Sequence, residues 1–259
     1  MKLTYAELLA TRPIHLENIG HLRRIKVEEA QNDPAYRFYI AYCTSTVEDY
    51  FEQQKQMEFY DSLTIEEKAN LNIFDLLISD EGTRFIFQES LDFFFEETVT
   101  WNDSIHMFIL TDQDGNDVGI IHSAIWMELR DLIAETNYIK LDDTSADLST
   151  IKSSRARYIA EKLQKGRRKL ASEKSKAKNP ITDFGNIISV IAAYMPGYTH
   201  LNIGDLTIYQ LYDLYHRFQI NESFQVVRTS VAVWGDEKKQ FDLSERQQNL
   251  HASKETDSE

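Results

Sequence analysis

The pattern of apolar and polar positions predicts a largely helical start to the chain. Apolar residues recur every three or four positions in several stretches, which is the period of a helix with one face toward a core. Thr4 with Glu7, and Thr64 with Glu67, have the spacing of capping boxes, in which two side chains satisfy the free amides at a helix start. The predicted helices are a short one that Pro13 ends and longer ones over 35–57, 64–77 and 83–95. Between the first two of them, residues 14–27 show no clear period.

The period changes to that of strands after residue 97. β-branched and aromatic residues dominate 98–101, 105–111 and 117–121, which predicts three strands. Asp114-Gly115 between the last two favours a tight turn, so we expect an antiparallel hairpin there. Ser123 is positioned to cap the helix that follows. The apolar positions of that helix include Ile125, Trp126, Leu129, Leu132 and Ile133.

The C-terminal part is predicted to form an apolar helical module. Thr182 or Asp183 can cap a helix over Phe184–Tyr194, and a turn is expected at Pro196-Gly197. Asp205 is predicted to cap a helix over 206–220 that is apolar around most of its girth, as in helices buried by their own module or by a partner. A third helix is predicted over 223–234, with a strand as the alternative, and it ends at a Gly in the left-handed cap position.

These elements predict a predominantly helical α+β fold with a small antiparallel hairpin or sheet in its N-terminal domain. Four segments follow from the pattern: an α+β domain over 1–145, a basic helical linker over 146–179, the helical module over 180–235 and a polar tail over 236–259. The tail has the composition of a disordered segment.

Charge is distributed unevenly along this acidic chain. The formal net charge is −14, which favours solubility and argues against general nucleic-acid binding. Eleven Lys or Arg and only two Glu nevertheless lie between Lys152 and Lys178. This basic segment indicates a solvated linker or a protein-docking helix, with phosphate binding as the alternative. It lacks the aromatic residues of single-strand binders and the broad apolar face of a membrane helix. The candidate basic residues are Arg155, Arg157, Lys162, Lys165, Arg167, Arg168 and Lys169.

The residue patterns indicate no catalytic centre, metal site or cofactor site. Asp112 begins a stretch like a calcium loop, but Asp117 and Ser123 stand where that loop requires Gly and Glu, so a hairpin turn is favoured. The seven histidines show no metal-binding spacing, and His106 and His122 are expected to be partly exposed beside the sheet. The single cysteine, on an apolar helical face, is expected to be a buried structural thiol and fits a reducing compartment. The N-terminus has an acidic residue, Glu7, where a signal peptide would have its apolar core. No apolar run reaches the length that is needed to span a membrane.

One family resemblance lies in the C-terminal module. It is carried by Asp183-Phe184-Gly185-Asn186-Ile187-Ile188-Ser189, by Leu201-Asn202-Ile203-Gly204-Asp205-Leu206 and by the closing Val233-Trp234-Gly235. This pattern is similar to proteins from the virion-structure gene clusters of large tailed phages of Gram-positive bacteria, some of which resemble tail assembly chaperones. The run Leu91-Asp92-Phe93-Phe94-Phe95 to Asn137 fits the same resemblance.

The resemblance implies a non-enzymatic phage morphogenesis protein, most specifically a tail assembly chaperone, or a minor virion structural protein. Its partners would be phage structural proteins of the tape-measure or tail-tube type, or further copies of itself, in the host cytoplasm or in the virion. The alternative is a nucleic-acid-associated module that acts through residues 152–178. Because aromatic residues are enriched at interfaces, the candidate partner contacts are Tyr209, Tyr212, Tyr215 and Phe218, for which a place in the internal core is the other interpretation.

Overall fold

The computed structural model describes residues 3–139, 141, 183–235, 244 and 247. Its described part has the predicted class, a predominantly helical α+β fold with two small antiparallel sheets. Two compact units share the described residues: the first holds 3–139 and 204–210, and the second holds 183–203 and 211–235. The predicted linker over 146–179 lies outside the described residues, as does nearly all of the predicted tail.

Most helices of the first unit are short, Glu81–Phe94 and Ser123–Thr136 being its two long ones, and all described strands lie in that unit. The helices are α1 (Tyr5–Leu8), α2 (Val27–Asn32), α3 (Tyr36–Cys43), α4 (Val47–Gln53), α5 (Met57–Ser62), α6 (Ile65–Ala69), α7 (Ile73–Ser79), α8 (Glu81–Phe94), α9 (Ser123–Thr136), α10 (Phe184–Tyr194) and α11 (Ile208–Trp234). The strands are β1 (Ile14–Leu16), β2 (Gly20–Leu22), β3 (Thr98–Asn102), β4 (Met107–Thr111) and β5 (Asp117–Ile121). No described helix has both the length and the apolar character that crossing a membrane requires.

Helix capping divides the long helices that the apolar period predicts. The capping boxes at Thr4 and Thr64 are confirmed, with each Thr hydroxyl accepting a backbone amide and each Glu reaching back to the Thr amide. The single helix predicted over 35–57 is wrong, because Thr46 starts a new helix with its own capping box and separates α3 from α4. The helix predicted over 64–77 also breaks, where the Asn72 side chain accepts the amide of Phe74 at 2.9 Å and starts α7.

The three predicted strands and their turn are confirmed. β3, β4 and β5 form an antiparallel sheet in that order. Gly115 in the β4–β5 turn has a φ of +84°, a conformation that suits Gly. The carboxylate of Asp112 accepts the amides of Asp114 at 2.9 Å and Asn116 at 2.8 Å, which closes the turn. The prediction that Ser123 caps α9 is wrong: His122 is the N-cap residue, and its ring accepts the amide of Ala124.

The core of the first unit is a cluster of aromatic rings between α7, α8, β4 and α9. Phe74, Phe87, Phe108 and Trp126 are each less than 2% exposed. The Phe87 ring lies 4.7 Å from Trp126 and 5.3 Å from Phe108, both edge-to-face. This arrangement suits the charge distribution of aromatic rings and adds to the stabilisation from their buried area. The amphipathic pattern of α8 and α9 therefore serves mainly to build this core.

The hairpin β1–β2 lies in the stretch over 14–27, where the apolar pattern predicts no element. Its strands are only three residues long, and His15 pairs with His21 across them. Residues 204–210 belong to the same unit, because Val27 donates its amide to Leu206 O at 2.8 Å and Ile208 donates its amide to Ile25 O at 2.9 Å.

In the C-terminal region the cap of α10 is confirmed, since the Asp183 side chain accepts the amide of Asn186. The turn at Pro196-Gly197 is confirmed, with a φ of +97° at the Gly. The predicted helices over 206–220 and 223–234 are instead one helix, α11. It begins after Thr207 rather than Asp205, because Thr207 and Gln210 exchange side-chain and backbone hydrogen bonds in the manner of a capping box. Gly235 ends the helix at a φ of +81°, as predicted.

Candidate partner-binding surface

The four aromatic rings predicted to contact a partner lie in two environments. Tyr209 and Tyr215 are buried, and the Tyr209 ring packs 5.2 Å from the ring of Tyr138. Tyr212 and Phe218 are half-buried. The Phe218 ring stacks on Tyr194 with a centroid distance of 5.4 Å and an interplanar angle of 25°. Burial gives Tyr209 and Tyr215 a packing role within the chain, and partner contact by the four rings stays a prediction.

The exposed apolar surface of α11 lies further along the helix. Val226, Val227, Val233 and Trp234 are all exposed, and Trp234 is 80% exposed. Val226 and Val233 are seven residues apart, as are Val227 and Trp234, so two helical turns return each pair to the same side. We call these four residues the α11 strip. They lie on one face of the helix, about 120° wide at 100° per residue, which they share with the exposed Ser230.

The α11 strip has few charges beside it. Arg228 is the only charged residue between Phe224 and Trp234. Two further large side chains of the second unit are also exposed, Tyr194 at 68% and Leu201 at 97%. Exposed apolar residues grouped on one face are more informative about interaction than single exposed ones. The α11 strip is therefore the part of the described structure that best fits a partner contact.

The predicted contact residues and the α11 strip lie in different halves of the helix. The first half of α11 is apolar around its girth, which is the stronger pattern, but much of that girth is buried. The pattern predicts a separate helix or a strand over the second half, which hides the spacing of its apolar residues along one helix. Pairs of large apolar residues seven apart, in a stretch with one charge, were the signal that could have identified the strip.

The remaining predicted site residues are the basic residues of the segment 152–178, the cysteine and the histidines. The seven basic residues of the segment 152–178 lie outside the described residues, so phosphate binding there stays a prediction. Cys43 is buried as expected, and this burial raises the pKa of its thiol. Within the described ranges no group of three or more His, Cys, Asp or Glu side chains could hold a metal ion. His106 is exposed in the β3–β4 turn, and His122 serves as a helix cap.

Residues 173–251 match the family model described as the YomV second domain. YomV is a protein of a Bacillus phage region. The match includes α10, α11 and the α11 strip, but it spans under a third of the 259 residues. No curated protein and no solved structure matches the chain. The family match is consistent with the phage origin that the sequence resemblance implies.

Proposed function

We propose that this chain is a non-enzymatic phage morphogenesis protein that binds another structural protein of the same phage through the α11 strip. A tail assembly chaperone is the most specific form of the proposal, and a minor virion structural protein is the other form. The observation that carries it is that the exposed apolar strip lies inside the segment that matches a domain of a phage-region protein.

The composition of the strip suits the centre of an interface. Interface centres are depleted of charged residues and enriched in aromatic ones, and Trp is among the residues that contribute most to binding. Trp234 ends the strip and is 80% exposed. Burying about 150 Å² of its side chain would contribute at most about 4 kcal/mol, before the costs of association.

The shape of the strip indicates how a partner would bind. An apolar face on one helix packs against a second helix or into an apolar groove. A long helical tape-measure protein offers such helices, and its apolar faces would otherwise be exposed before assembly. The net charge of −14 would keep a complex of the two proteins soluble.

The direct test is co-expression with the tape-measure and tail-tube proteins of the phage gene cluster that encodes this chain. We expect one of them to co-purify with it and to stay soluble in its presence. Trp234→Ser should weaken the measured affinity at least about 30-fold, which corresponds to the 2 kcal/mol of an interface hot spot. Phe85→Ser is the matched control, because Phe85 is also an exposed aromatic, at 61%, but lies on α8.

Two results would count against the proposal. The first is that no structural protein of the cluster binds the full chain. The second is that a complex forms but Trp234→Ser and Phe85→Ser both bind as tightly as the wild type, which would exclude the α11 strip from the contact. Sedimentation of the protein alone distinguishes partner binding from self-association, since self-association through the strip would give a concentration-dependent mass that Trp234→Ser lowers.

A further inference from the structure

The unpredicted hairpin β1–β2 places two histidine rings beside a buried carboxylate. His15 Nδ1 lies 3.2 Å from His21 Nε2. On its other side, His21 Nδ1 lies 2.7 Å from Glu97 Oε1. The Glu97 side chain is only 7% exposed, whereas His15 is exposed and His21 is half-exposed. The contacts therefore connect a buried carboxylate, through His21, to a ring at the surface.

The Glu97 carboxylate is held in one position. Its two oxygens accept the backbone amide of His21 at 3.1 and 2.9 Å. It also occupies the space above Gly20, where an added Cβ would lie 2.7 Å from Oε2. Because a carboxylate accepts hydrogen bonds, the short contact assigns the proton of the neutral His21 ring to Nδ1. The Nε2 lone pair of His21 then points away from Glu97, toward His15.

The two facing nitrogens have the separation of ligands to one metal ion. Zn²⁺ binds imidazole nitrogens at about 2.0–2.1 Å in tetrahedral geometry, which places two such nitrogens about 3.3 Å apart. The observed separation is 3.2 Å. A metal-binding His typically donates its other ring N–H to a carboxylate, which orients the ring and makes it a better ligand. Glu97 and His21 have this relation.

The surroundings of the pair suit a cation with open coordination positions. A cleft of about 330 Å³ adjoins the two histidines, and the carboxylates of Glu96, Glu97 and Asp112 are in its lining. Carboxylates that line the cleft favour the binding of a divalent cation there. Because the described residues contain no group of three candidate ligands, two imidazoles would bind the metal and water would complete the coordination.

We propose that His15 and His21 bind a divalent transition-metal ion of the zinc type, with Glu97 as the residue that orients His21. Imidazole nitrogen is a preferred ligand of Zn²⁺, Ni²⁺ and Cu²⁺. The site is separate from the α11 strip, so the proposal does not depend on the proposed function. The competing explanation is a direct hydrogen bond in which His15 Nδ1 donates to His21 Nε2 without any metal.

The experiment is a calorimetric titration of the untagged, chelator-treated full chain with Zn²⁺ at neutral pH. We expect one saturable zinc site per chain in the wild type and its loss in His15→Ala. Because the His15 side chain is exposed, we expect His15→Ala to fold as the wild type does. Glu97→Gln should weaken zinc binding about 10- to 100-fold, the usual effect of losing a residue that orients a metal ligand. His200→Ala is the control, since His200 is exposed in a turn of the second unit.

A second measurement separates binding from a change in folding. Zinc should raise the melting temperature of the wild type and of His200→Ala, but not that of His15→Ala. Equal zinc affinity and stoichiometry in the wild type and His15→Ala would overturn the proposal and leave a hydrogen-bonded histidine pair. Equal affinity in the wild type and a folded Glu97→Gln would overturn the orienting role of Glu97.

Discussion

Replacing Gly119 with Ala tests how the β1–β2 hairpin is held against the three-stranded sheet. An added Cβ at Gly119 would lie 2.4 Å from Ile19 O and 2.5 Å from Asn18 O, both backbone atoms. Ordinary van der Waals contact begins at 3.4 Å, so the hairpin turn and β5 would have to separate by about 1 Å. A backbone cannot rotate out of the way as a side chain can.

Moving the hairpin turn away from β5 would lower the free energy of unfolding in two ways. It would break the hydrogen bond in which Ile120 donates its amide to Asn18 O at 3.2 Å, a loss of about 1 kcal/mol. Overpacking typically costs a further 1–3 kcal/mol or so. We therefore expect Gly119→Ala to lower the free energy of unfolding by about 2–4 kcal/mol.

Urea unfolding followed by circular dichroism measures this loss. The matched control is Gly115→Ala in the β4–β5 turn, where an added Cβ meets nothing within 4 Å but φ is +84°. Gly115→Ala should lower the free energy of unfolding only by the conformational cost of holding Ala in the left-handed region, about 1–2 kcal/mol. If Gly119→Ala unfolds at the same urea concentration as Gly115→Ala, or at a higher one, the close approach of hairpin and sheet is refuted.

Three further predictions concern a tyrosine, the cysteine and the basic segment. Burial raises the pKa of Tyr42 to about 12, so its contribution to stability is complete below pH 10 and is lost as the pH rises toward 12. The difference in urea stability between the wild type and Tyr42→Phe should shrink over that range, and a constant difference would contradict this. Burial also raises the pKa of the Cys43 thiol, so a thiol reagent should react only as fast as the protein unfolds, and immediate reaction would show an accessible thiol. If residues 152–178 bind nucleic acid, duplex DNA should be retarded at low salt and released steeply as salt rises, and replacement of Arg167, Arg168 and Lys169 by Ala should weaken binding on every sequence. Absence of retardation at low salt would exclude this alternative.

Local signals in the sequence predicted local structure well. A capping box needs only a side chain and an amide three residues apart, so Thr4 and Thr64 could be identified directly. The same holds for the turn at Asp114-Gly115, which only requires a residue that tolerates positive φ. The error over 35–57 came from giving the apolar period more weight than Thr46 and Asp49, a capping pair that the sequence also contains.

The exposed surface was harder to predict than the elements. The apolar period identifies which residues of a helix need burial, but it does not say how much of the helix the rest of the chain covers. Tyr209 and Tyr215 in α11 are buried, while Val233 and Trp234 at its end are exposed. Both halves carry large apolar residues at helical spacing, so only the folded chain distinguishes a core contact from an available surface.

By itself, the sequence determined the fold class, the caps at Thr4, Thr64 and Asp183, the strands of the larger sheet and the acidic charge of the chain, because each depends on neighbouring residues or on composition. The tertiary structure decided the grouping of His15, His21 and Glu97, since the carboxylate lies 76 residues from His21 in the chain. It also decided which face of α11 stays exposed. Contacts between distant residues form only when the chain folds back on itself, and no periodicity within one element specifies the element against which it packs.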